Sequence, residues 1–374
     1  MNERMGLNLI ARIMRWDDEN GEATREYAWL RLMARIKYDG YSDFRAGVRF
    51  IEMLAAWLKQ FDEADRPTAY DFIKKRLVYI SSAELQRLIE GFVPQSVTPN
   101  IRAVVAEELK CKPYEVWATA EGGELFRKRL RKTLFVGLSD GSRIDSLRRA
   151  NAKRLSTEQV VPMMNIDTDK WNDLAKNLKK DTDEHQKFDS VYLIDDFTAS
   201  GTTFIRQVDG EWKGKLKKFD EIVQGASKAL GDNFPIAKDY ALHIHHYISS
   251  QQAHGALKRL TDEAQANWDG RSFGSVAISE GLLLPEDLPL RDTRDAGMLD
   301  ICKRYYDHGL FKRLEQHCLQ NGQKDMKLGY ADCALPVVLD HNTPNNSIPL
   351  LWAETNGGPG HNMRPLFYRR DRHG

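Results

Sequence analysis

The stretch VYLIDDFTASGTT, residues 191–203, carries the strongest indication of fold and function in the sequence. Its first four residues, Val191–Ile194, are apolar, a pattern typical of a strand buried on both faces of a parallel sheet. Two acids, Asp195 and Asp196, follow at the carboxyl end of this predicted strand. Ligands bind beyond the carboxyl ends of the strands in open α/β sheets, so we interpret the two acids as candidate site residues.

A polar turn, Ser200–Thr203, comes shortly after the acids. It supplies hydroxyl groups and, if a helix begins there, backbone N–H groups without intrahelical partners. Such groups form a nest for a phosphate, and Gly201 allows the backbone to approach a ligand closely. We assign Thr198 and Ala199, which precede the turn, no more than backbone contact with the ligand.

Adjacent carboxylates repel a phosphorylated ligand unless they also contact hydroxyl groups or a cation. A phosphorylated ribose meets both needs, because its 2′- and 3′-hydroxyls can donate to Asp195 and Asp196 while Mg²⁺ balances a diphosphate. The alternative interpretation is a strand end followed by a capped helix start. An Asp-Asp pair alone favours that alternative, whereas the full pattern of residues 191–203 favours a ligand site.

Short apolar runs recur after Lys132, and helical segments separate several of them. Strands that alternate with helices predict parallel crossovers, and therefore a parallel sheet flanked by helices on both faces. The predicted strands comprise residues 133–137, 160–164, 191–194, 240–244 and 273–278. We therefore predict an α/β fold for this part of the chain.

The N-terminal part of the chain is predicted to be helical. Apolar residues recur at helical spacing from Glu22 to about Lys110, and breaks near Pro67 and Pro94 divide this stretch into about five helices. We place an N-terminal helical domain at residues 1–125 and an α/β domain with a C-terminal extension at residues 126–374. Three roles stay open for the helices: a scaffold, a surface for a protein partner, or a DNA-binding module.

The overall composition excludes some classes of protein. With 55 basic and 54 acidic side chains, the net charge is +1, which gives no global attraction to nucleic acid or an anionic membrane. The four cysteines are widely separated and lack the spacing of a zinc site or a disulfide framework. No apolar run approaches a membrane span, and the N-terminus lacks a secretory signal, so we expect a cytoplasmic protein without membrane association.

The segment at residues 191–203 resembles the motif with which type I phosphoribosyltransferases bind 5-phosphoribosyl-1-pyrophosphate (PRPP). That motif has four hydrophobic residues, two acids, a short variable stretch and Thr/Ser-Gly-X-Thr. The resemblance implies a phosphoribosyltransferase-like parallel sheet, with Asp195 and Asp196 as the catalytic acids that hold the ribose hydroxyls. It further implies that the 5′-phosphate is bound by Thr198, Ala199, Ser200, Gly201, Thr202 and Thr203.

The same family has a pyrophosphate loop between its first strand and first helix. The corresponding residues here are Leu138, Ser139, Asp140, Gly141, Ser142 and Arg143. Family members often carry Lys or Arg just before the glycine of this loop, whereas this chain carries Asp140. Neutralisation of pyrophosphate is then left to Mg²⁺, to Arg143 or to backbone amides. We expect Mg²⁺ to arrive with the substrate, without a dedicated metal site on the protein.

Three histidines, His243, His245 and His246, also invite a metal interpretation. His243 and His245 would share one face of a strand, because side chains alternate along it. No acidic or thiol ligand is placed nearby in the sequence. We therefore favour packed or surface histidines over a metal site.

The C-terminal segment HNTPNNS, residues 341–347, follows another predicted strand. Together with the segment DDFTASGTT, it is similar to a phosphoribosyltransferase-like effector family of bacterial conflict systems, some encoded beside retron reverse transcriptases. Four residues of this segment are candidates for a hood, a cover over the site that recognises a base or another acceptor, because side-chain amides present both donors and acceptors. They are His341, Asn342, Asn345 and Asn346. A turn in which Asn and Pro serve only the backbone geometry is an alternative of equal weight.

We therefore hypothesise a phosphoribosyltransferase-like enzyme that binds PRPP or a related ribose phosphate with Mg²⁺. The resemblance implies a toxic effector in antiphage defence of the retron type, with a reverse transcriptase and its msDNA or noncoding RNA as partners. The alternative is a non-catalytic sensor of PRPP or a nucleotide, whose helical half binds DNA or a protein. The N-terminal helices are also candidates for a contact with a protein partner or a second copy of the chain.

Overall fold

The computed structural model describes residues 2–182, 186–319, 323–356 and 360–369. The helices are α1 (Glu3–Met14), α2 (Glu22–Ile36), α3 (Phe50–Lys59), α4 (Arg66–Lys75), α5 (Ser82–Phe92), α6 (Thr98–Glu108), α7 (Ala120–Arg131), α8 (Ile144–Ala150), α9 (Thr168–Thr182), α10 (Lys215–Leu230), α11 (Gln251–Asn267), α12 (Asp292–Arg304), α13 (Gly309–Leu319) and α14 (Pro349–Trp352). The strands are β1 (Val78–Ile80), β2 (Thr133–Gly137), β3 (Val160–Val161), β4 (Phe188–Thr198), β5 (Arg206–Val208), β6 (Glu211–Lys213), β7 (Ile236–Ser249), β8 (Phe273–Leu283) and β9 (Val337–Leu339). None of the helices in the described ranges is both long and apolar enough to cross a membrane.

The chain forms two compact units. The helical unit comprises Met1–Glu84 and Pro285–Gly374, and the sheet unit comprises Leu85–Leu284. These bounds differ from the predicted division between residues 125 and 126. The difference arises because α6 and α7 belong to the unit of the large sheet, whereas the C-terminal segment forms one unit with the first four helices.

The sheet unit is built on five strands in the order β3-β2-β4-β7-β8, and every neighbouring pair is parallel. The predicted α/β fold with a parallel sheet flanked by helices is thus confirmed, as is the helical N-terminal region. The predicted strand at residues 160–164 stops at Val161, since Pro162 has no N–H to offer a ladder. Strand β4 is longer than predicted, because β7 pairs with it as far as Thr198.

One face of this sheet is covered by α9, α10 and α11. These helices bury Trp171, Phe219 and Leu257 against strand residues such as Leu193 and Ile244. Each large apolar side chain buried in this way contributes about 1.5–3 kcal/mol to folding. This packing holds the strands, and therefore their carboxyl ends, in a fixed arrangement.

Aromatic rings pack together on the opposite face of the sheet. Tyr192 stacks on His243, with ring centroids 4.3 Å apart, and Phe92 at the end of α5 lies 4.2 Å from the ring of His245. The Tyr192 hydroxyl accepts a hydrogen bond from Asn100 of α6 at 2.9 Å. Both faces of the central strands are therefore covered, as expected for a parallel sheet.

The order of the strands places a topological switch between β2 and β4. From β2 the chain runs outward to β3, and it then returns to β4 on the other side before continuing to β7 and β8. The loops that leave β2 and β4 consequently diverge and open a crevice at the carboxyl ends of these strands. Residues 138–143 and 195–203 are the segments that border this crevice.

The helical unit has its own core. Trp57, Phe61 and Leu351 are almost fully buried there, and the indole N–H of Trp57 donates to the carbonyl of Leu350 at 2.7 Å. Strands β1 and β9 form a two-stranded parallel sheet in which Val78 pairs with Val337. This pairing ties the segment after α4 to the C-terminal segment.

Candidate functional site

The two acids of the predicted motif, Asp195 and Asp196, are among the last residues of β4, at the carboxyl end of the sheet. On the side of β2, the ladder ends with the pair Gly137 and Ile194, whereas on the side of β7 it continues through Asp195 and His246. The early end of β2 leaves the backbone beyond Ile194 beside the loop that follows β2. Because side chains alternate along a strand, Asp195 and Asp196 point to opposite faces of the sheet.

Asp195 is buried and is held by three other polar side chains. Its Oδ1 accepts a hydrogen bond from the Ser139 hydroxyl at 2.5 Å and lies 3.4 Å from the Ser142 hydroxyl, and its Oδ2 forms an ion pair with Lys215. Burial raises the pKa of Asp195 above the ordinary carboxyl range, and the charge of Asp196 adds to this effect. The charge and hydrogen bond of Lys215, together with the bond from Ser139, oppose the increase.

The turn after β4 has the character of an anion nest. Within the described residues, the backbone N–H groups from Ala199 to Thr203 donate no hydrogen bond to a protein acceptor. The hydroxyls of Ser200 and Thr202 lie 3.0 Å apart, so this short segment combines hydroxyls with unpaired amides. Consecutive amides without acceptors form a concave site for a phosphate.

Ser250, which caps the start of α11, supports this turn. The Ser250 hydroxyl donates to the carbonyl of Ala199 at 2.5 Å, and the Ser250 amide donates to Thr198 at 3.0 Å. Gly201 has a φ of +75°, and a Cβ at this position would lie 3.3 Å from the carbonyl oxygen of Ala253. Glycine is therefore required for the backbone conformation and for the close approach to α11, in addition to any approach of a ligand.

No helix begins at the turn, although the sequence allowed for one. The chain instead forms the β5-β6 hairpin before α10 begins at Lys215. The amides of Lys215 and Leu216 donate to the carbonyls of Thr203 and Phe204 at 3.2 and 3.0 Å, so α10 is attached directly to the turn. The hairpin is thus an insertion between the turn and the helix, and the Trp212 ring in it stacks on Trp268.

The loop after β2 lies against both acids. The Ser142 hydroxyl closes the loop by donating to the carbonyl of Ile194 at 2.8 Å and accepting from the amide of Ser139 at 3.1 Å. A Cβ at Gly141 would lie only 2.4 Å from the carboxylate of Asp196, so glycine permits this contact. Asp140 is exposed, and Arg143 has a φ of 49° directly before α8. The structure therefore brings the predicted loop, acids and turn together at one crevice.

The candidate hood residues belong to the helical unit, a different compact unit from that of the acids. There the side-chain amide of Asn346 donates to the carbonyl of Tyr330 at 3.0 Å, and the Asn345 carbonyl accepts from the Tyr330 amide at 2.8 Å. The amide of Asn342 donates to the Leu339 carbonyl at 3.1 Å, and His341 contacts Asp340. These contacts are those expected from the alternative interpretation as a turn.

Sequence reasoning missed Lys215 beside the acids, and it considered His246 only as a metal ligand or as a packed or surface histidine. Lys215 comes twenty positions after Asp195 in the chain. Its one sequence signal is the cluster of lysines in the first turn of α10, where the helix dipole disfavours a cation. His246 is only 2 % exposed, and its Nδ1 has no hydrogen-bond partner in the described part of the chain.

The electrostatics at His246 follow from its position. The pKa of His246 is lowered to about 3, mainly by burial and also by the charge of Lys215, whereas the charge of Asp196 opposes the change. The imidazole is therefore neutral at physiological pH and packs edge-on to Phe204. Among the described residues, no group of three or more His, Cys, Asp or Glu side chains is arranged to hold a metal ion.

Comparison with known proteins supports the resemblance noted in the sequence. A family model for PRTase-CE, a phosphoribosyltransferase-like effector domain, matches residues 54–369. No curated protein and no solved structure matches the chain. The matched region includes the loop after β2, the paired acids, the turn and the C-terminal segment at residues 341–347. The chain therefore belongs to the PRTase-CE family of phosphoribosyltransferase-like effector domains.

Proposed function

We propose that the sheet unit binds PRPP or a related phosphorylated ribose together with Mg²⁺, and that it transfers the ribosyl group to an acceptor. The observation that carries this proposal is the row of amides from Ala199 to Thr203, which donate to no acceptor in the described part of the chain and lie just beyond two carboxylates. Amides and hydroxyls in such a nest suit the 5′-phosphate, whereas carboxylates suit hydroxyl groups of the ribose. A ligand that carries both groups matches the whole crevice.

The pyrophosphate of PRPP would lie against the loop after β2, which borders the same crevice. Mg²⁺ is commonly bound through one or two carboxylates and the phosphates of the substrate, without a complete protein cage. Asp196, which is partly exposed, fits the role of such a carboxylate. We therefore propose that the metal enters with the substrate, where it balances the charge of the diphosphate.

The proposed reaction places few chemical demands on the protein. The bond between the anomeric carbon and the pyrophosphate oxygen breaks, pyrophosphate leaves with the electron pair, and an acceptor nucleophile bonds to that carbon. Charge develops on the ring and on the leaving group, so catalysis depends on orientation, electrostatic stabilisation and exclusion of water. No covalent nucleophile on the protein is needed.

The biological role that we propose is that of a toxic effector in bacterial antiphage defence of the retron type. Membership of an effector family supports this role. The resemblance of residues 195–203 and 341–347 to a family with some members encoded beside retron reverse transcriptases is the second ground for it. The proposed partners are a reverse transcriptase and its msDNA or noncoding RNA. Growth inhibition on expression of the chain alone, relieved by co-expression of those partners, would support the role; an absence of toxicity with or without them would count against it.

The enzymatic proposal is tested by the double variant Asp195→Asn, Asp196→Asn. We expect it to remain folded, because Asn is nearly isosteric with Asp, but to bind PRPP at least about a hundredfold more weakly, since two charge-assisted hydrogen bonds are lost. Calorimetric titration with PRPP and Mg²⁺ measures the affinity, and release of pyrophosphate measures turnover. Asp232→Asn, an exposed acid before β7, is the matched control and should behave like the parent. Parent-like binding by the double variant would refute the assignment.

A non-catalytic sensor is the second candidate function. The observation that favours it is Asp140, which is exposed in the loop where related proteins often carry a cation. An acid at this position repels pyrophosphate and would weaken stabilisation of the leaving group. Tight binding of PRPP without release of pyrophosphate in the presence of several acceptors would establish the sensor, and measurable release would exclude it.

A further inference from the structure

We infer that the sheet unit carries a second anion site, the lysine groove, which binds the phosphate backbone of a nucleic-acid strand. The groove has a volume of about 490 Å³. It is lined by five residues of α9 and by one residue of the turn before β7: Asn172, Ala175, Lys176, Lys179, Lys180 and Asn233. The inference goes beyond the proposed function, because the groove shares no residue with the crevice beyond β2 and β4.

The lysine groove lies at the other end of the sheet from that crevice. Lys179 and Lys180 are in the last turn of α9, the helix that leads into the start of β4 at Phe188. Asn233 comes shortly before β7, which begins at Ile236. The two walls of the groove therefore meet near the amino ends of these parallel strands, whereas the crevice lies beyond their carboxyl ends. A ligand in the groove leaves the crevice open.

Packing in the sheet unit holds the two walls of the groove together. Trp171 of α9 is fully buried, and its ring lies 5.1 Å from the ring of Phe234, the residue after Asn233. The carbonyl of the next residue, Pro235, accepts a hydrogen bond from the amide of Phe188 at 2.7 Å. The turn before β7 is therefore attached both to α9 and to the start of β4, and the core fixes the width of the groove.

The lining of the groove is basic. Lys176, Lys179 and Lys180 recur at helical spacing, so their side chains share one side of α9. Within the described ranges, none of the three ammonium groups forms an ion pair or a hydrogen bond. Asp173 and Asp232 are exposed and close in the chain to lining residues, but neither of them lines the groove. This arrangement attracts a ligand with several negative charges.

The dipole of α9 accounts for only part of this arrangement. A cation is favourable in the last turn of a helix, which suits Lys179 and Lys180. Lys176 lies one turn earlier, and like charges three or four residues apart destabilise a helix. A polyanion that contacts all three lysines relieves this repulsion.

The chemistry of the lining favours a phosphate backbone over a free nucleotide. Sites for small molecules are lined mainly by apolar and aromatic side chains. Among the described residues that line the groove, none is aromatic and one, Ala175, is apolar, so the lining offers no ring on which a nucleobase can stack. Ammonium and amide groups contact phosphate and sugar without reading the sequence. The net charge of +1 gives no global attraction to nucleic acid, so a local cluster has to supply it.

The test measures the binding of the full chain to a labelled oligothymidylate strand by fluorescence anisotropy at several salt concentrations. We expect the triple variant Lys176→Gln, Lys179→Gln, Lys180→Gln to bind about tenfold more weakly or worse. The slope of log affinity against log salt concentration should become shallower by about 2, because each phosphate contact with a single strand contributes about 0.7. A triple variant with arginine at the same three positions retains the charge and should retain the binding.

The matched control is the triple variant Lys110→Gln, Lys218→Gln, Lys258→Gln. It removes the same charge from exposed positions elsewhere in the sheet unit and should bind the strand like the parent. Melting temperatures check that both triple variants are folded; their lysines are exposed or half-buried, so we expect little change. Titration with PRPP and Mg²⁺ should give the same affinity for the α9 triple variant as for the parent, because the groove and the crevice are separate.

Each outcome decides the question. Equal loss of affinity in the two glutamine variants would mean that net charge, and not the groove, attracts the strand, and the inference would be wrong. A parent that does not bind the strand at low salt would also refute it, as would an α9 triple variant that binds like the parent. Binding of ATP at the groove without binding of the strand would make it a nucleotide site instead. A parent that binds the strand but not PRPP would refute the proposed function and leave this inference standing.

Discussion

Acidification should destabilise the sheet unit because β7 contains three neutral histidines in its packed interior. Burial lowers the pKa of His243 to about 4 and those of His245 and His246 to about 3. In the unfolded chain each histidine titrates near its ordinary pKa of about 6.5. Between these values the unfolded state binds more protons than the folded state, so the free energy of unfolding decreases as the pH falls.

The expected magnitude follows from the same values. On acidification from pH 7 to pH 5, each histidine that stays neutral in the fold costs about 2 kcal/mol, and the three together cost about 6 kcal/mol. Asp195 acts in the opposite direction, because its raised pKa lets the folded state take up a proton before the unfolded state does. The total change in the free energy of unfolding therefore mixes opposing contributions, and the contribution of a single histidine is the better quantity to measure.

The variant His245→Gln isolates that contribution. Glutamine stays neutral at both pH values and can retain a hydrogen bond to Ser279, which contacts the imidazole at 2.9 Å. Its loss of stability between pH 7 and pH 5 should be about 2 kcal/mol smaller than that of the parent protein.

Urea denaturation at pH 7, 6 and 5, followed by hydrogen exchange of the β7 amides, measures the effect in the sheet unit itself. His308→Gln, at an exposed position in the helical unit, is the control and should leave the hydrogen exchange of the β7 amides unchanged. A variant at His245 with the same pH dependence as the parent would show that this imidazole is not held neutral by the fold.

Two glycine substitutions should separate the stability of the site from its binding of ligand. Gly201→Ala should lower the free energy of unfolding by about 1–3 kcal/mol, because residue 201 has a φ of +75° and lies close to α11. The same substitution should weaken the binding of ribose 5-phosphate. An unchanged melting temperature would contradict this account. Gly141→Ala should leave the melting temperature nearly unchanged but weaken PRPP binding, because the new Cβ would displace the Asp196 carboxylate. An affinity for PRPP equal to that of the parent would show that the position of this carboxylate does not affect binding. Gly225→Ala, which meets nothing within 4 Å in α10, is the control for both measurements.

The central part of the fold was predictable because its determinants are local. The apolar run before Asp195, the adjacent acids and the turn at Ser200–Thr203 lie within one short segment, and the alternation of strands and helices predicts the parallel sheet around it. The adjacency of the loop after β2 follows from the same rule, because neighbouring parallel strands open their loops at one edge. The sequence determined these features through hydrophobic pattern and chain order alone.

Other features depend on contacts between residues far apart in the chain. The pairing of Val78 with Val337 brings the C-terminal segment into the helical unit, and no local pattern near either residue predicts its partner. The same holds for Lys215, which meets Asp195 although the β5-β6 hairpin separates the turn from α10 in the chain. Hydrophobic periodicity predicts that a helix forms and which face it buries, but the partner of a polar side chain is determined by the packing of whole elements. The tertiary structure alone therefore decided where the units divide and that Lys215 is the ion-pair partner of Asp195.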